Sequence, residues 1–441
     1  MNFQVSKFTS KLFSDGAKIF SLRIFGIAIH YIIILILTNK LEVSLFGKYN
    51  YISTVVIPLS AIGLMGMDNS FLQFVGQLRA KNAFERVKVL YFKKIKLLLG
   101  LSLVIVLVYF LAKFMFPTYF NADRSYLYDR IVFVSPFLSL FTLNVQVLRG
   151  LEKLILSEIL RGVLRYATLL GIVLCLIYID CLYLVLNGYI LSILIVAFIS
   201  TIAVIINLPR VNSMSKDAIL TGKEILKTSF PMSISFVALL IMQSFDVLIL
   251  EKYYDFEVVG YYGVAIKISL IIGIILSSIN TLIAPKISTL FYQNKQTELK
   301  RLIESSTILN FLLSMPIILI VVFFSERLLL LFGEEYIIVK EALIIVLVGQ
   351  MCNAFCGSVG TYLNMTGRQN KYQNLLILSV IINVILNLFL IPKYGMLGAA
   401  ISTAFSTVFW NVMGAVFIHK LDRINITILC GIKKFFDGDK L

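Results

Sequence analysis

Residues 383–406 read NVILNLFLIPKYGMLGAAISTAFS, two apolar runs separated by the short break IPKYG. Because proline cannot continue an α-helix and glycine permits a tight turn, we expect one helix to end at Pro392 and another to start after Gly395. Lys393 and Tyr394 suit the headgroup level of a bilayer. The second run opens with small residues, which let helix backbones approach closely. The stretch therefore predicts a hairpin of two membrane helices.

The composition of the whole chain places it in the membrane. Of its 441 residues, 59% are hydrophobic and 15% are charged, whereas soluble domains have about 25% charged residues. Transmembrane barrels alternate polar and apolar residues in segments of about ten. The apolar runs here continue for about twenty residues, which is the length of a membrane-spanning helix. The fold class is therefore an all-α integral membrane protein.

Twelve apolar runs are long enough to span a bilayer. The second contains Pro58, where we expect a kink or a continuation as a surface helix. The runs lie near residues 17–39, 47–75, 92–116, 128–149, 156–179, 182–207, 225–251, 258–284, 305–324, 337–364, 373–391 and 395–419.

Lysine and arginine in the loops give the orientation. With the N-terminus inside, 30 of the 40 basic residues fall in cytoplasmic segments, as the positive-inside rule requires. Both termini are therefore predicted to be cytoplasmic. The net charge of +16 follows from this bias and from contact with anionic lipid headgroups, so a nucleic-acid partner is not needed to explain it.

Two pairs of short segments recur at nearly one spacing. The glycines of LFGKYN (45–50) and VVGYYG (258–263) are 213 residues apart, and those that open GYILS (188–192) and GAAIS (398–402) are 210 apart. The spacing predicts two six-helix lobes that are parallel repeats, related by a pseudo-two-fold axis along the membrane normal.

The repeat also predicts the domain organisation. The N-terminal six-helix lobe covers 1–208, a cytoplasmic linker follows at 209–224, and the C-terminal lobe covers 225–420. A short cytoplasmic tail, 421–441, completes the chain.

Five segments carry a family resemblance: LNMTGRQNKYQ (363–373), LIPKYGMLGAAIST (390–403), FGKYNY (46–51), LRGLEK (148–153) and DVLILEKYYDFEVVGYYGVAIKI (246–268). They resemble bacterial polysaccharide flippases, the Wzx-type O-antigen transporters of the multidrug/oligosaccharidyl-lipid/polysaccharide exporter superfamily. The resemblance covers the whole layout and is sharpest over 363–403. At one position the chain departs from the family, since relatives carry an arginine where this chain has Gln73. No charge role is carried over to that position.

The resemblance implies a flippase of the bacterial cytoplasmic (inner) membrane. Its substrate would be undecaprenyl-diphosphate-linked oligosaccharide, moved from the cytoplasmic to the outer leaflet by alternating access, for O-antigen or capsule synthesis. Membrane lipid and polysaccharide assembly proteins are the expected partners. A hydrophilic cleft would spare the head group the cost of crossing hydrocarbon, which is about 3 kcal/mol or more for one charged side chain.

Arginines at the cytoplasmic side of the first lobe are candidates for binding that diphosphate. Arg23, Arg149 and Arg165 are the predicted substrate-binding residues, because guanidinium groups bind phosphate bidentately and stay charged. The competing interpretation, which covers Arg149 and the nearby Arg161 above all, is snorkelling to headgroups and topology marking.

The second lobe contributes Lys267 as a candidate substrate-binding residue and Asp246 as a candidate ion-coupling residue. Ionisable residues within a membrane commonly have a function. The two residues have similar estimated depths on adjacent spans and opposite charges, so we predict that they form a pair. A purely structural ion pair is the competing interpretation.

Three further polar residues are candidates with competing structural explanations. Asp68 would couple transport to H+ or Na+, or would cap a helix where the second span breaks. Asn383 and Asn387, four residues apart on one helix face, would bind sugar hydroxyls, or would form hydrogen bonds between helices.

The sequence predicts no catalytic residues, no metal site and no cofactor. Cys352 and Cys356 have no histidine or second cysteine pair nearby, and nucleotide-binding and hydrolase motifs are absent from the sequence. A cation-coupled multidrug antiporter of the same superfamily is the alternative function. A membrane polysaccharide polymerase or acyltransferase is a remoter one.

Overall fold

The computed structural model confirms the predicted helical membrane fold. All regular secondary structure in the described residues is helical. Ten helices in this part of the chain are long and apolar enough to cross a membrane. The described residues are 2–80, 83–117, 122–209 and 222–428.

The helices divide into two compact units, Met1–Val237 and Ala238–Leu441. This division falls within one long helix, Gly222–Tyr253. The predicted linker 209–224 and the end of the predicted tail, 429–441, lie almost entirely outside the described residues. The predicted domain boundaries therefore stay a prediction.

The described residues of the first unit form eight α-helices and the first half of a ninth. A π-helix, Ile159–Leu164, joins α6 to α7, and short 3-10 helices precede α4 and α8. The helices are α1 (Asn2–Lys40), α2 (Val43–Leu64), α3 (Met67–Ala80), α4 (Val87–Met115), α5 (Ala122–Gly150), α6 (Leu154–Glu158), α7 (Arg165–Tyr178), α8 (Val185–Asn207) and α9 (Gly222–Tyr253).

The second unit, as far as residue 428, contains the rest of α9 and seven more α-helices. A 3-10 helix, Glu334–Val339, precedes α13. The helices are α10 (Phe256–Tyr292), α11 (Gln296–Phe323), α12 (Ser325–Leu330), α13 (Lys340–Cys356), α14 (Val359–Met365), α15 (Gln369–Tyr394) and α16 (Met396–Asp422).

The hairpin predicted at 383–406 is formed by α15 and α16, but its turn lies later than expected. Helix α15 continues through Pro392 to Tyr394, because a proline in the last turn removes only one backbone hydrogen bond. The helix ends where Gly395 adopts a φ of 56° and its N–H donates to the carbonyl of Ile391 over 2.8 Å. The prediction that the helix ends at Pro392 was therefore wrong by two residues.

Two of the predicted spans are interrupted by residues with left-handed backbone. The run 47–75 divides into α2 and α3 at Met65 and Gly66, whose φ values are 43° and 73°, whereas Pro58 lies inside α2. The run 337–364 divides into α13 and α14 at Gly357, whose φ is 69°. The first run is therefore interrupted seven residues after Pro58.

The glycines of the predicted repeat occupy matching places in the two units. Gly47 and Gly260 are each the fifth residue of their helices, α2 and α10. Gly188 in α8 lies so close to α7 that an added Cβ would be 2.9 Å from Ile172. Gly398 in α16 lies against α15 in the same way, with an added Cβ 2.4 Å from the Leu390 carbonyl oxygen. Each glycine thus permits close packing of the last two long helices of its half.

Candidate functional site

Arginines from separate helices of the first unit converge on Glu158, the last residue of α6. The side chain of Glu158 is 6% exposed. Arg23 of α1 donates from Nη2 to its Oε1 over 3.3 Å, and Arg149, in the last turn of α5, forms an ion pair with the same oxygen. Burial of this carboxylate with two guanidinium partners fixes the ends of α5 and α6 against the middle of α1.

Two more arginines complete this group. Arg161, in the π-helix, has an exposed side chain, and it interacts electrostatically with Glu158 and with each of the other three arginines. Arg165 opens α7. It interacts electrostatically with Arg161, so the group holds four guanidinium charges and one carboxylate. This excess of positive charge favours binding of an anion. We call Arg23, Arg149, Arg161, Arg165 and Glu158 the arginine cluster.

Close contact between backbones brings the cluster together. A Cβ added to Gly26 of α1 would lie 2.6 Å from the carbonyl carbon and oxygen of Gly162. The backbones of α1 and the π-helix can therefore touch here only because residue 26 has no side chain. Gly162 belongs to the π-helix, a kind of segment that is frequent at functional sites. Arg23 lies one turn before Gly26, and Arg161 lies next to Gly162, so this contact positions both arginines.

Aromatic residues hold Arg165. Its guanidinium lies 5.7 Å from the ring centroid of Tyr166 and interacts electrostatically with Tyr189. Tyr166 in turn stacks on His30 of α1, with ring centroids 4.5 Å apart, and Tyr189 meets the buried ring of Tyr49 edge-on at 5.5 Å. Arg165 is thus fixed within the unit, whereas the side chain of Arg23, which is 33% exposed, remains accessible to a ligand.

The second unit buries the carboxylate of Asp246, which is 1% exposed. It accepts hydrogen bonds from Tyr262 Oη at 2.6 Å, from Thr403 Oγ1 at 3.2 Å and from the backbone N–H of Val247 at 2.8 Å. These described neighbours do not include Lys267. The predicted pair between Asp246 and Lys267 was therefore wrong.

The geometry of α10 explains that error. Tyr262 and Lys267 are five residues apart, which turns their side chains about 140° from each other around an α-helix. Tyr262 faces Asp246, so Lys267 lies on a different face although its depth is similar. Depth along a helix can be estimated from sequence, but direction around the helix requires a second fixed contact.

The tyrosines of the two polar sites occupy equivalent positions. Tyr49 and Tyr262 each lie two residues after a glycine of the repeat, and both are buried. Tyr49 lies near Arg165 in the first unit, and Tyr262 binds Asp246 in the second. The repeat therefore places a tyrosine beside a charged residue in each unit. That residue is positive in the first unit and negative in the second.

Asn383 and Asn387 bond to each other along α15. The amide of Asn387 donates to Oδ1 of Asn383 over 3.0 Å, and both side chains are fully buried. Nδ2 of Asn383 and Oδ1 of Asn387 have no hydrogen-bond partner within the described part of the chain. This hydrogen bond joins two residues of the same helix. It is therefore not the hydrogen bond between helices that the sequence predicts.

Asp68 lies in the first turn of α3, directly after the break that follows α2. It is buried, and its charge acts on the ammonium of Lys94 in α4. A carboxylate in this turn is favoured by the helix dipole. The sequence analysis did not single out Lys94 or Glu158, because each looks like one ordinary charge near the end of a span.

A metal site is not evident in the described ranges. Among these residues, no three of His, Cys, Asp and Glu are grouped so that they could hold a metal ion. The described part of the chain thus offers charge, aromatic rings and amides for binding.

Two family models match the chain. The model of polysaccharide biosynthesis proteins matches residues 12–291, and the MatE model matches residues 231–389. The first match includes the whole arginine cluster. A comparison with curated protein sequences finds no match.

Solved transporter structures share the fold. A lipid II flippase MurJ in an inward closed conformation has a TM-score of 0.71 and 16% identity, covering 98% of this chain and 93% of its own. An inward-facing multidrug resistance MATE transporter of the MOP superfamily has a TM-score of 0.67 and 14% identity, and the match covers 90% of this chain and 97% of that one. A MOP superfamily transporter from Pyrococcus furiosus, described as having a binding pocket of reverse polarity, has a TM-score of 0.63 and 15% identity. The match covers 93% of this chain and 95% of that one.

At these identities the likeness to solved structures shows the fold, and the sequence match shows the family. Because the first family model covers more than half of the chain, the chain belongs to the polysaccharide biosynthesis protein family.

Proposed function

We propose that this protein is a flippase that moves undecaprenyl-diphosphate-linked oligosaccharide from the cytoplasmic to the outer leaflet of a bacterial inner membrane. The product would serve the synthesis of O-antigen or capsule. The observation that carries the proposal is the arginine cluster, in which three guanidinium groups interact with one buried carboxylate and a fourth lies beside Arg161. Membership of the polysaccharide biosynthesis protein family supports a glycan substrate.

The cluster suits a diphosphate in charge and in geometry. A guanidinium presents planar pairs of N–H donors that match phosphate oxygens, and it stays charged at any physiological pH. Arg23 and Arg161 have exposed surface, so they would contact the ligand. Arg149 and Arg165 are held by Glu158 and by aromatic rings, so they would supply charge without moving.

The proposed transport cycle is alternating access. The diphosphate and its sugars would enter a hydrophilic cavity while the polyprenyl tail stays in the bilayer, because a bare charge in hydrocarbon costs about 3 kcal/mol or more. The positive-inside distribution of lysine and arginine supports a cytoplasmic position for the arginine cluster, where a lipid-linked precursor would enter. Polysaccharide assembly proteins would take over the product on the outer side.

A cation-coupled multidrug antiporter is the second candidate. The MatE family model matches residues 231–389, which include the buried carboxylate of Asp246. A buried carboxylate held by a tyrosine and a threonine can exchange a proton or a cation. In this alternative the arginine cluster would be structural, and the substrate would be a drug cation.

Deletion of the gene in its native bacterium separates the two candidates. A flippase predicts loss of surface glycan and accumulation of lipid-linked oligosaccharide facing the cytoplasm, both restored by a plasmid copy. Susceptibility to cationic drugs should not change. Unchanged surface glycan together with increased drug susceptibility would reject the flippase and support the antiporter.

A further inference from the structure

A buried lysine sits at the break between α2 and α3. Lys94 of α4 has no exposed surface, and its Nζ donates to the carbonyl oxygen of Met67 over 2.6 Å and to Ser70 Oγ over 2.8 Å. The rings of Phe71 and Phe74 cover it, with centroids 5.4 and 5.1 Å from Nζ, within the usual range of cation–π contacts. Its ligands are thus oxygens and π-faces.

The break itself is fixed by backbone geometry. Met65 and Gly66 both have positive φ, and a Cβ added to Gly66 would lie 2.3 Å from the carbonyl oxygen of Ser229 in α9. Only glycine fits this contact. The chain at 65–67 therefore leaves α-helical geometry where α9 packs against it, and α3 restarts with its first turn beside Lys94.

A directed chain of hydrogen bonds leads from Lys94 to α9. Ser229 Oγ donates to the carbonyl of Ile225 over 2.7 Å, so in the 2.6 Å contact between the two hydroxyls Ser70 donates to Ser229. Ser70 Oγ in turn accepts from Lys94. Ser70 Oγ also lies 3.3 Å from the Met67 carbonyl oxygen, a longer second acceptor for its proton. In this order each hydroxyl accepts one bond and donates one, and the ammonium is the donor at the start of the chain.

The surroundings of Nζ resemble a monovalent cation site. A backbone carbonyl, a hydroxyl and the nearby negative charge of Asp68 are the oxygen groups that bind Na+ at interrupted membrane helices. A lysine here supplies the positive charge from within the chain, at the end of a flexible stem.

We propose that the ammonium group of Lys94 is a built-in cation, which occupies the place at the α2–α3 break that an exchangeable Na+ or K+ would otherwise take. The first unit would then need no external cation at Asp68. The carboxylate of Asp68 would therefore not couple transport to Na+. This inference concerns a positioning residue and does not depend on the identity of the transported molecule.

The break is also linked to the arginine cluster. Phe71, which covers Lys94, packs against Gly150, since a Cβ added there would lie 3.0 Å from the Phe71 ring. Gly150 follows Arg149 in α5. A shift of α3 after loss of the ammonium would therefore disturb the helix end that carries Arg149.

Cation-dependent thermal stability of the purified full-length chain tests the proposal. Melting midpoints are measured at one ionic strength in NaCl, KCl and choline chloride, and again with added ethylammonium. The wild-type protein should melt at the same temperature in all of them. Lys94→Ala should lower the midpoint by about 5 °C in choline, and Na+, K+ or ethylammonium should restore it in a saturable way.

The matched control is Lys96→Ala, which removes the same charge from an exposed position on α4 and should show no cation dependence. A Lys94→Ala protein that is equally stable in all the salts would overturn the proposal. So would a wild-type protein that Na+ stabilises specifically, because its site would then accept an external ion.

A second comparison decides the matter if Lys94→Ala does not fold. Loss of the ammonium would remove a positive charge that interacts with buried Asp68, so Asp68→Asn should restore folded protein to Lys94→Met. We expect at least a fivefold gain in monodisperse protein for the double variant, on the order of the loss seen when a buried charge is left without its partner. A double variant that yields no more than Lys94→Met would contradict the built-in cation.

Discussion

Arg23 in α1 donates to Glu158 at the end of α6 over 3.3 Å, although the two residues are 135 positions apart in the chain. Arg149 pairs with the same carboxylate oxygen, so one buried acid connects α1, α5 and α6. The negative charge of Glu158 therefore offsets part of the repulsion among Arg23, Arg149 and Arg161.

Replacement of this acid should destabilise the first unit. Glu158→Gln leaves the guanidinium groups without a carboxylate, and breaking a buried ion pair from one side costs about 3 kcal/mol. We expect a clear fall in thermal stability and in surface glycan. Glu152→Gln, at an exposed position in the preceding loop, is the control. Equal melting temperatures for the two variants would show that Glu158 does not organise the cluster.

The arginines should act through their charge. Arg23→Lys and Arg165→Lys should each retain more glycan export than the corresponding Gln variant, because lysine keeps a phosphate-binding charge but loses the bidentate geometry. Arg130→Gln serves as the control, since Arg130 is bound to Asn187 elsewhere in the unit. Full surface glycan in an Arg23→Gln, Arg165→Gln double variant at normal protein level would reject a role in transport.

A methyl group added at Gly26 should destabilise the protein, because α1 and the π-helix touch at Gly26 and Gly162. In Gly26→Ala the new Cβ would lie 2.6 Å from backbone atoms that cannot rotate away, and overpacking of this kind costs about 1–3 kcal/mol. Gly171→Ala in α7 is the matched control, because a Cβ there meets nothing within 4 Å. The control should be neutral or slightly stabilised. A Gly26→Ala protein as stable as Gly171→Ala would mean that α1 does not pack on the π-helix as described.

Asp246 should couple energetically to Tyr262 and not to Lys267. In double-variant cycles scored by folded protein in the membrane, Asp246→Asn with Tyr262→Phe should deviate from additivity by more than about 0.5 kcal/mol. Asp246→Asn with Lys267→Met should be additive within about that amount. Strong coupling in the second cycle would restore the ion pair that the structure contradicts.

Much of the helical layout follows from sequence because a bilayer leaves the backbone few alternatives. The apolar runs of about twenty residues could only be helices, and the repeat of Gly47 at Gly260 and of Gly188 at Gly398 marks equivalent positions that the structure confirms. The turn at Gly395 was also expected, although α15 runs two residues past Pro392.

What sequence could not supply was direction around the helices and contact between distant segments. The break at Met65 and Gly66 depends on Ser229, which lies more than 160 residues later. Glu158 gains its role only when α1 and α5 bring Arg23 and Arg149 to it. Lys267 and Asp246 share a depth, but only the position of Tyr262 shows that they face different ways.

Reconstitution with a lipid-linked glycan tests the proposed flippase most directly. Vesicles are prepared with a polyprenyl-diphosphate oligosaccharide in both leaflets and treated from outside with a glycosidase that cannot cross the bilayer. Vesicles that contain the wild-type protein should lose nearly all of the glycan, and those with the Arg23→Gln, Arg165→Gln double variant only the share in the outer leaflet. If wild-type vesicles also lose only the outer share, while the same protein transports a cationic dye, the chain is not a flippase of lipid-linked oligosaccharide.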